Sequence, residues 1–348
     1  MATIKEIARM ANVSTATVSH VLNGTARISD ETRERVLTVV KGVNYRPNSI
    51  AKSLKIKKTN SIGIITEDIT VFNTPGIIDG INECAEKYDY HIILNNVMLY
   101  KKVGNKYKDA ARYTGMVRDI IDDLVGKQVE GIIYVGAHCR DVAGLTGNCP
   151  VPLVFAYCYS SCGADASIYY DDETAAFELT KYLIDKGHRK IGVITGLLDS
   201  IQCQERLKGY QRALFENNIL FNPDYMKAGN WEFEKGYSSG KELMEQIHPP
   251  TAIFSMNDVM AGGVIEAAGE LGLNIPEDLS LVGFDNRECS WSYSPRLTTM
   301  ALPLEEIGRT AAETIIGILQ GNPYGTGNTI KLQCSLIERK SVLPTAAT

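Results

Sequence analysis

The sequence reads as an α/β protein: an N-terminal three-helix head, then a body of doubly wound parallel sheet. Three observations predict this. The first sixty residues carry eleven Lys/Arg against four acids, +7, whereas the whole chain is −5 and the remainder therefore −12. Helical periodicity fills that basic stretch. From Ser61 onward apolar strand-like runs alternate with amphipathic helices, the pattern of βα units. At 348 residues the chain exceeds one ordinary domain and suits a head with a two-lobed body.

In the head, Thr3 is followed three residues on by Glu6, a capping box, and Ile4, Ile7, Ala8 and Ala11 recur at helical spacing. Asn12-Val13 breaks that helix, and Ser14 caps a second whose apolar face is Val18, Val21 and Leu22. Thr15, Ala16, Thr17, Ser19, His20 and Asn23 are left facing outward, and Gly24 stops the helix. Ser29 caps a third helix near 30–44 with Val36, Leu37, Val40 and Val43 inward, and Pro47 ends it. Asn48 then caps Ser49 to Ile56, a segment with too little apolar surface to hold alone in water. A short turn between two short helices, the second presenting hydroxyls, an amide and an imidazole, fits a DNA major groove. A plain helical hairpin packed on something else is the other reading, and the basic head on an acidic body favours the groove.

In the body, strands are expected near 62–66, 91–95, 131–135, 152–156, 191–195, 225–229, 252–255 and 280–284. Helices are expected near 75–88, 112–127, 173–186, 204–217, 236–247, 257–272 and 304–320. Such units place loops and helix N-termini at the carboxyl edge of the sheet, where these folds bind ligands.

Other classes find little support. No apolar signal core opens the chain and no run of about 18 apolar residues exists, so a cytoplasmic protein without a membrane partner is expected. The eight cysteines lack a Cys-x-x-Cys; Cys158/Cys162 and Cys139/Cys149 approach nearest, and unpaired thiols are preferred to a metal or disulfide role. No phosphate loop, dinucleotide fingerprint, zinc helix or nucleophile elbow is present. No catalytic residue, metal or cofactor is therefore expected.

Residues 1–60 resemble the headpiece of the LacI/GalR (lactose-repressor) family, close to its purine-repressor branch. The likeness rests on Thr3-Ile4-Lys5-Glu6-Ile7-Ala8, on Val13 through Asn23, on Tyr45-Arg46-Pro47-Asn48 and on Ala51-Lys52-Ser53-Leu54, and it continues through the body. It implies a helix-turn-helix headpiece at 1–47, a hinge helix and linker at 48–61, and a periplasmic-binding-protein-like effector and dimerisation domain at 62–343. The N-lobe would be 62–169 plus 303–324, the C-lobe 171–300 plus 327–343, with crossings near 169–171, 300–303 and 324–327. Leu54 is then a wedge in the minor groove; a leucine packed on the head is the alternative. Thr15, Ala16 and His20 are expected at base edges; Thr17, Ser19 and Asn23 at phosphates, with Arg27, Tyr45 and Arg46 at the rim.

In the body, Phe72, Tyr170, Asp171, Arg206, Trp231, Asn257 and Asp285 match positions lining the family's effector cleft. Each also has an ordinary structural reading: helix cap, turn residue, surface cation or core. Jointly they suit a sugar: a carboxylate takes adjacent hydroxyls, guanidinium and amide fork onto others, and an indole covers the ring. A nucleobase stacks equally well on aromatics. The family commonly has two phenylalanines where this chain has Asn73-Thr74, which makes one wall more polar. Met98 to Thr114 is longer than usual and basic, to be read as a solvated loop or a second nucleic-acid contact.

The implied protein is a repressor that binds a pseudo-palindromic operator in double-stranded DNA as a homodimer, switched by a sugar-like small-molecule effector. The alternatives are a nucleobase corepressor, a solute-binding protein or a sugar-modifying enzyme. The tail, Ser341 to Thr348, is too short and polar for a tetramer-forming heptad.

Overall fold

The computed structural model describes residues 2–25, 27–45, 58–104, 109–162, 166–322 and 329–345. They fall into two compact units, Met1–Thr59 and Asn60–Thr348. The side chain of Asn23, Arg46 and the expected hinge segment with Leu54 lie outside the described residues.

The head comprises α1 (Ile4–Met10), α2 (Thr15–Asn23) and α3 (Asp30–Gly42). The capping box is formed: Glu6 N–H donates to Thr3 Oγ1 at 3.3 Å, and Thr3 N–H to Glu6 Oε2 at 2.7 Å. Ser14 Oγ accepts from Thr17 N–H at 3.0 Å, and Gly24 closes α2 in the left-handed conformation, φ +64°. Ile7, Ala8, Ala11, Val18, Val21 and Val36 form the core, with Val39, Val40 and Val43 against it. Two residues assigned to the apolar stripes, Ile4 and Leu37, are instead exposed. The α3 stripe runs through Val36, Val39, Val40 and Val43, and Leu37 sits about 100° away round the helix.

The second unit contains two six-stranded sheets. The first is ordered β11-β5-β4-β3-β1-β2, from β1 (Ser61–Thr66), β2 (His91–Asn96), β3 (Gly131–Val135), β4 (Leu153–Ala156), β5 (Ala166–Tyr170) and β11 (Thr329–Leu332). The second is ordered β12-β10-β9-β8-β6-β7, from β6 (Ile191–Ile194), β7 (Met226–Lys227), β8 (Ala252–Ser255), β9 (Ser280–Asp285), β10 (Thr298–Ala301) and β12 (Ser335–Ile337). All pairings are parallel except β10 with β12.

Helices α4 (Asn73–Lys87), α5 (Leu99–Val103) and α6 (Thr114–Gly126) belong to the first lobe. Helices α7 (Asp172–Asp185), α8 (Ile201–Glu216), α9 (Phe233–Met244), α10 (Asp258–Glu270) and α11 (Cys289–Ser292) belong to the second. Helix α12 (Leu304–Leu319) returns to the first lobe and packs on α4. That crossing is close enough to require glycine: a Cβ on Gly80 would lie 2.0 Å from the Glu305 carbonyl oxygen, and one on Gly308 2.0 Å from that of Ile77.

Three differences from expectation matter for the site. The third passage between lobes falls between β11 and β12, not at 324–327, because β11 completes the first sheet by pairing with β5. Tyr170 therefore ends a sheet strand. Helix α8 begins at Ile201, earlier than 204, because Ser200 accepts from Cys203 N–H at 3.3 Å and caps it. The long stretch after β2 is also no plain surface loop: α5 buries Leu99, a 3-10 turn spans Ala110–Arg112, and Tyr113 is 1% exposed.

Candidate functional site

Two surfaces carry recognisable chemistry, one in each unit. On the head, Thr15, Ala16 and His20 of α2 are all exposed, whereas Thr17 and Ser19 are half-buried. His20 Nδ1 is 3.0 Å from Thr25 Oγ1, which orients the ring. The Thr17 hydroxyl is 2.9 Å from that of Ser14, so one residue serves the cap and its neighbourhood. Arg27 is exposed, and Tyr45 packs against the head's core.

In the body, a cleft of about 410 Å³ opens between the two sheets. Loops beyond the carboxyl ends of β1, β3, β4, β6, β7, β8 and β9 all reach it, as the topology of parallel sheets requires. Its second-lobe wall is built on Arg206, 3% exposed. Arg206 Nε donates to Asp172 Oδ1 at 2.7 Å, Nη2 to the Tyr170 hydroxyl at 3.2 Å and to Asp285 Oδ1 at 3.3 Å, and Nη1 to the Met256 carbonyl. The guanidinium lies 3.7 Å from the Phe284 ring centroid and 5.6 Å from that of Trp231. A cation so enclosed, with four of its five N–H donors engaged, holds a fixed geometry.

The backbone around this wall is bent to present side chains. Asp285 has φ +99°, Trp231 φ +76° and Tyr157 φ +60°, all costly for residues with a Cβ. Trp231 lies flat against Gly196, where a Cβ would come within 1.8 Å of the indole. Asn257 caps α10 by accepting from Met260 N–H at 2.8 Å and donates to the Trp231 carbonyl at 3.0 Å. Its amide is committed at both ends, so Asn257 acts on the cleft chiefly by fixing Trp231.

The first-lobe wall is formed by Thr70, Val71 and Phe72 and by Ala137–Arg140. Asn73 and Thr74, read as a polar wall, are instead buried beneath it. Asn73 Nδ2 donates to the Gly136 carbonyl at 3.1 Å and Thr74 Oγ1 to the Asp68 carbonyl at 3.0 Å. Among the described residues, contacts that join the lobes across the cleft include the Arg206–Tyr170 hydrogen bond, the Arg287 guanidinium 4.8 Å from the Phe72 ring centroid, and Gln202 Nε2 donating to the Cys139 carbonyl.

Of the expected cleft residues, the structure brings Phe72, Tyr170, Arg206, Trp231, Asn257 and Asp285 together. Asp171 is not among the lining residues. It is the N-cap of α7, accepting from Thr174 N–H at 3.1 Å and Thr174 Oγ1 at 2.9 Å, and the buried partner of Arg206 is its neighbour Asp172. Sequence reasoning missed Tyr157, His138, Arg140, Gln202 and Arg287. The one legible signal was position: all five follow strand ends.

Burial raises the proton affinity of the carboxyls here. Asp285 is pushed up to about 6, mainly by desolvation, against the pull of Arg206. Asp258 is pushed up to about 8, by desolvation and by Asp285. Asp258 Oδ2 accepts from Arg287 N–H at 2.7 Å and Oδ1 from Thr299 Oγ1 at 2.6 Å. A carboxyl that binds its proton more tightly folded than unfolded stabilises the protein at low pH, and that contribution is lost as pH rises through the folded value. Together these carboxyls lower stability progressively between about pH 4 and 8. His188, lowered by burial, pulls the other way in the acid part, so the comparison needs a variant. Asp258→Asn keeps both hydrogen bonds if Thr299 turns to accept. Its thermal midpoint relative to wild type is expected to climb steadily across that window; a constant offset contradicts the assignment.

Comparison with known proteins reaches both units of the chain. The family of bacterial regulatory proteins of the lacI type matches residues 3–48, and the periplasmic binding protein-like domain matches residues 180–342. The ribose operon repressor of Haemophilus influenzae is 36% identical over 346 residues, 98% of this chain and 99% of that protein. The HTH-type transcriptional repressor PurR of Vibrio vulnificus is 35% identical over 321 residues, 91% of each. The crystal structure of the lac repressor dimer bound to operator and the anti-inducer ONPF superposes with a TM-score of 0.79 at 27% identity, covering 98% of this chain and 99% of that one. On likeness along nearly its whole length, the chain belongs to the LacI family of bacterial regulatory proteins.

Proposed function

We propose that this protein is a transcriptional repressor that binds a pseudo-palindromic operator as a homodimer and is switched by a sugar or sugar derivative in the cleft. It is read as a cytoplasmic protein that binds its effector without turnover. Thr15, Ala16 and His20 contact base edges, and Thr17, Ser19, Asn23, Arg27 and Tyr45 secure the phosphate backbone. The effector is held by Arg206 and Asp285 with Trp231 against its ring, and by Phe72 and Tyr170.

The observation that carries the effector reading is the joining of Arg206, Asp285 and Trp231 in one wall of the cleft: a remaining guanidinium donor, a carboxylate acceptor and an apolar face, the three groups a polyol ring needs. A nucleobase effector is the second reading, favoured by the aromatic rings of Phe72, Tyr157 and Trp231 around the same space. The repressors similar to this chain include one named for ribose and one for purines.

The switch is a matter of linkage. An effector that moves the protein from nearly all operator-bound to nearly all released needs about 5.5 kcal/mol of differential affinity, and operator must alter effector affinity by the same factor. Thermal-shift measurements with D-ribose, D-glucose, cellobiose, adenosine and hypoxanthine identify the class. Operator titrations with and without the strongest of them then test the switch. Equal operator affinity in both would refute it, as would recovery of a chemically altered ligand.

A further inference from the structure

Both described ends of the basic stretch after β2 are tied to the cleft wall. At the near end, Leu99 N–H donates to the Glu67 carbonyl at 2.8 Å, Tyr100 N–H to Asp68 Oδ2 at 3.1 Å, and the Tyr100 hydroxyl is hydrogen-bonded to His138 Nε2. At the far end, the buried Tyr113 hydroxyl accepts from Arg140 Nη2 at 2.6 Å. His138 and Arg140 both line the cleft.

Behind them stands Glu67, fully buried just past β1. It accepts from Arg140 Nη1 and Nη2 at 2.8 and 2.7 Å, from the Tyr134 hydroxyl at 2.6 Å and from Ala137 N–H at 2.8 Å. A bidentate guanidinium–carboxylate pair fixes Arg140 in one plane. The two tyrosines then hold the 137–140 loop from outside while Gln202 reaches it from the other lobe.

We propose that Tyr100 and Tyr113, at the two ends of this stretch, are specificity elements of the effector site: they are positioning residues that set His138 and Arg140, and so decide which effector's outer end the cleft accepts. This rests on the effector reading above. Tyr100 and Tyr113 face the cleft loop, whereas Lys101 and Lys102 are exposed, so the two roles can be tested apart.

Tyr100→Phe in the full chain tests this, since it removes one hydroxyl and leaves the ring packing. Two results are expected. Hydrogen exchange of the amides at 137–140, without any ligand, becomes faster while the rest of the first lobe is unchanged. Binding of the strongest of D-ribose, D-glucose, cellobiose, adenosine and hypoxanthine weakens by about five-fold, the effect of one lost hydrogen bond, and the order of preference among the five changes. Unchanged exchange, or a uniform loss for every ligand, overturns the proposal while the effector reading stands. A wild type that binds none of the five overturns the effector reading, and this proposal with it. A second-contact role is tested by Lys101→Ala with Lys102→Ala: an unaltered salt slope of DNA binding supports the proposal, and a slope reduced by about one or two units overturns it.

Discussion

Arg206→Met is expected to abolish measurable effector binding and to cost the body about 3–5 kcal/mol of stability, the penalty for leaving a buried charge without its partner. The two losses have different sources. Stability falls because Asp172 and Asp285, side chains 5% and 8% exposed, face the removed guanidinium and must take up protons or carry buried charge. Binding falls because the guanidinium that holds Asp285 in place is gone and Tyr170 loses one of the contacts of its hydroxyl. Asp285→Asn separates these effects. Asp285 is already pushed up to about 6, so neutralising it costs the fold little. It replaces one acceptor oxygen by an NH2 donor and removes the charge, worth about 1.5–3 kcal/mol for bonds to a charged group, or about ten- to a hundred-fold in affinity. Urea unfolding and calorimetric titration on both variants check the pair. If Asp285→Asn lost stability as heavily as Arg206→Met yet bound effector normally, the carboxylate would be structural and the cleft reading would fail.

The head was legible because its determinants are local. Caps at Thr3, Ser14 and Ser29 and a stripe through Ile7, Ala11 and Val18 act within a few residues of one another. Position at the carboxyl edge of the sheets marked Arg206, Trp231 and Asp285, but the same signal attended Tyr157, which directly follows β4 and was missed. One-residue distinctions were not legible: Asp171 and Asp172 are adjacent acids, but the cap position takes the first and the first helical turn aims the second at Arg206. Partner choice was also hidden. Glu67 meets Arg140 across 73 residues, and nothing near either predicts the other. Asn257 was read as a ligand contact, yet tertiary placement commits its amide to Met260 and Trp231. Strands β5, β10, β11 and β12 were not anticipated: β11 and β12 are short and half-exposed, and β5 and β10, though largely buried, carry Ser167 or Thr298-Thr299 in place of a continuous apolar run.

Operator affinity is expected to fall by roughly four powers of ten between 50 and 200 mM salt. The estimate assumes that each of two heads neutralises about four phosphates, with each contact adding about 0.9 to the logarithmic slope. The first sixty residues supply the charge at +7, and Arg27 is exposed beside the recognition helix. Arg27→Ala should lower the slope by about one per head and weaken all sequences alike. His20→Ala should leave the slope intact and relax discrimination at the base pair it faces, at about 1–3 kcal/mol on the preferred site. The contrast is diagnostic because the two residues belong to different jobs: a cation without sequence information, and an imidazole oriented by Thr25 on an exposed helix face. Fluorescence anisotropy across a salt series, on the preferred and a scrambled duplex, measures both. A flat salt response in the intact protein would leave α1 and α2 as an ordinary helical hairpin, because a head that reads DNA must first displace the counterions around it.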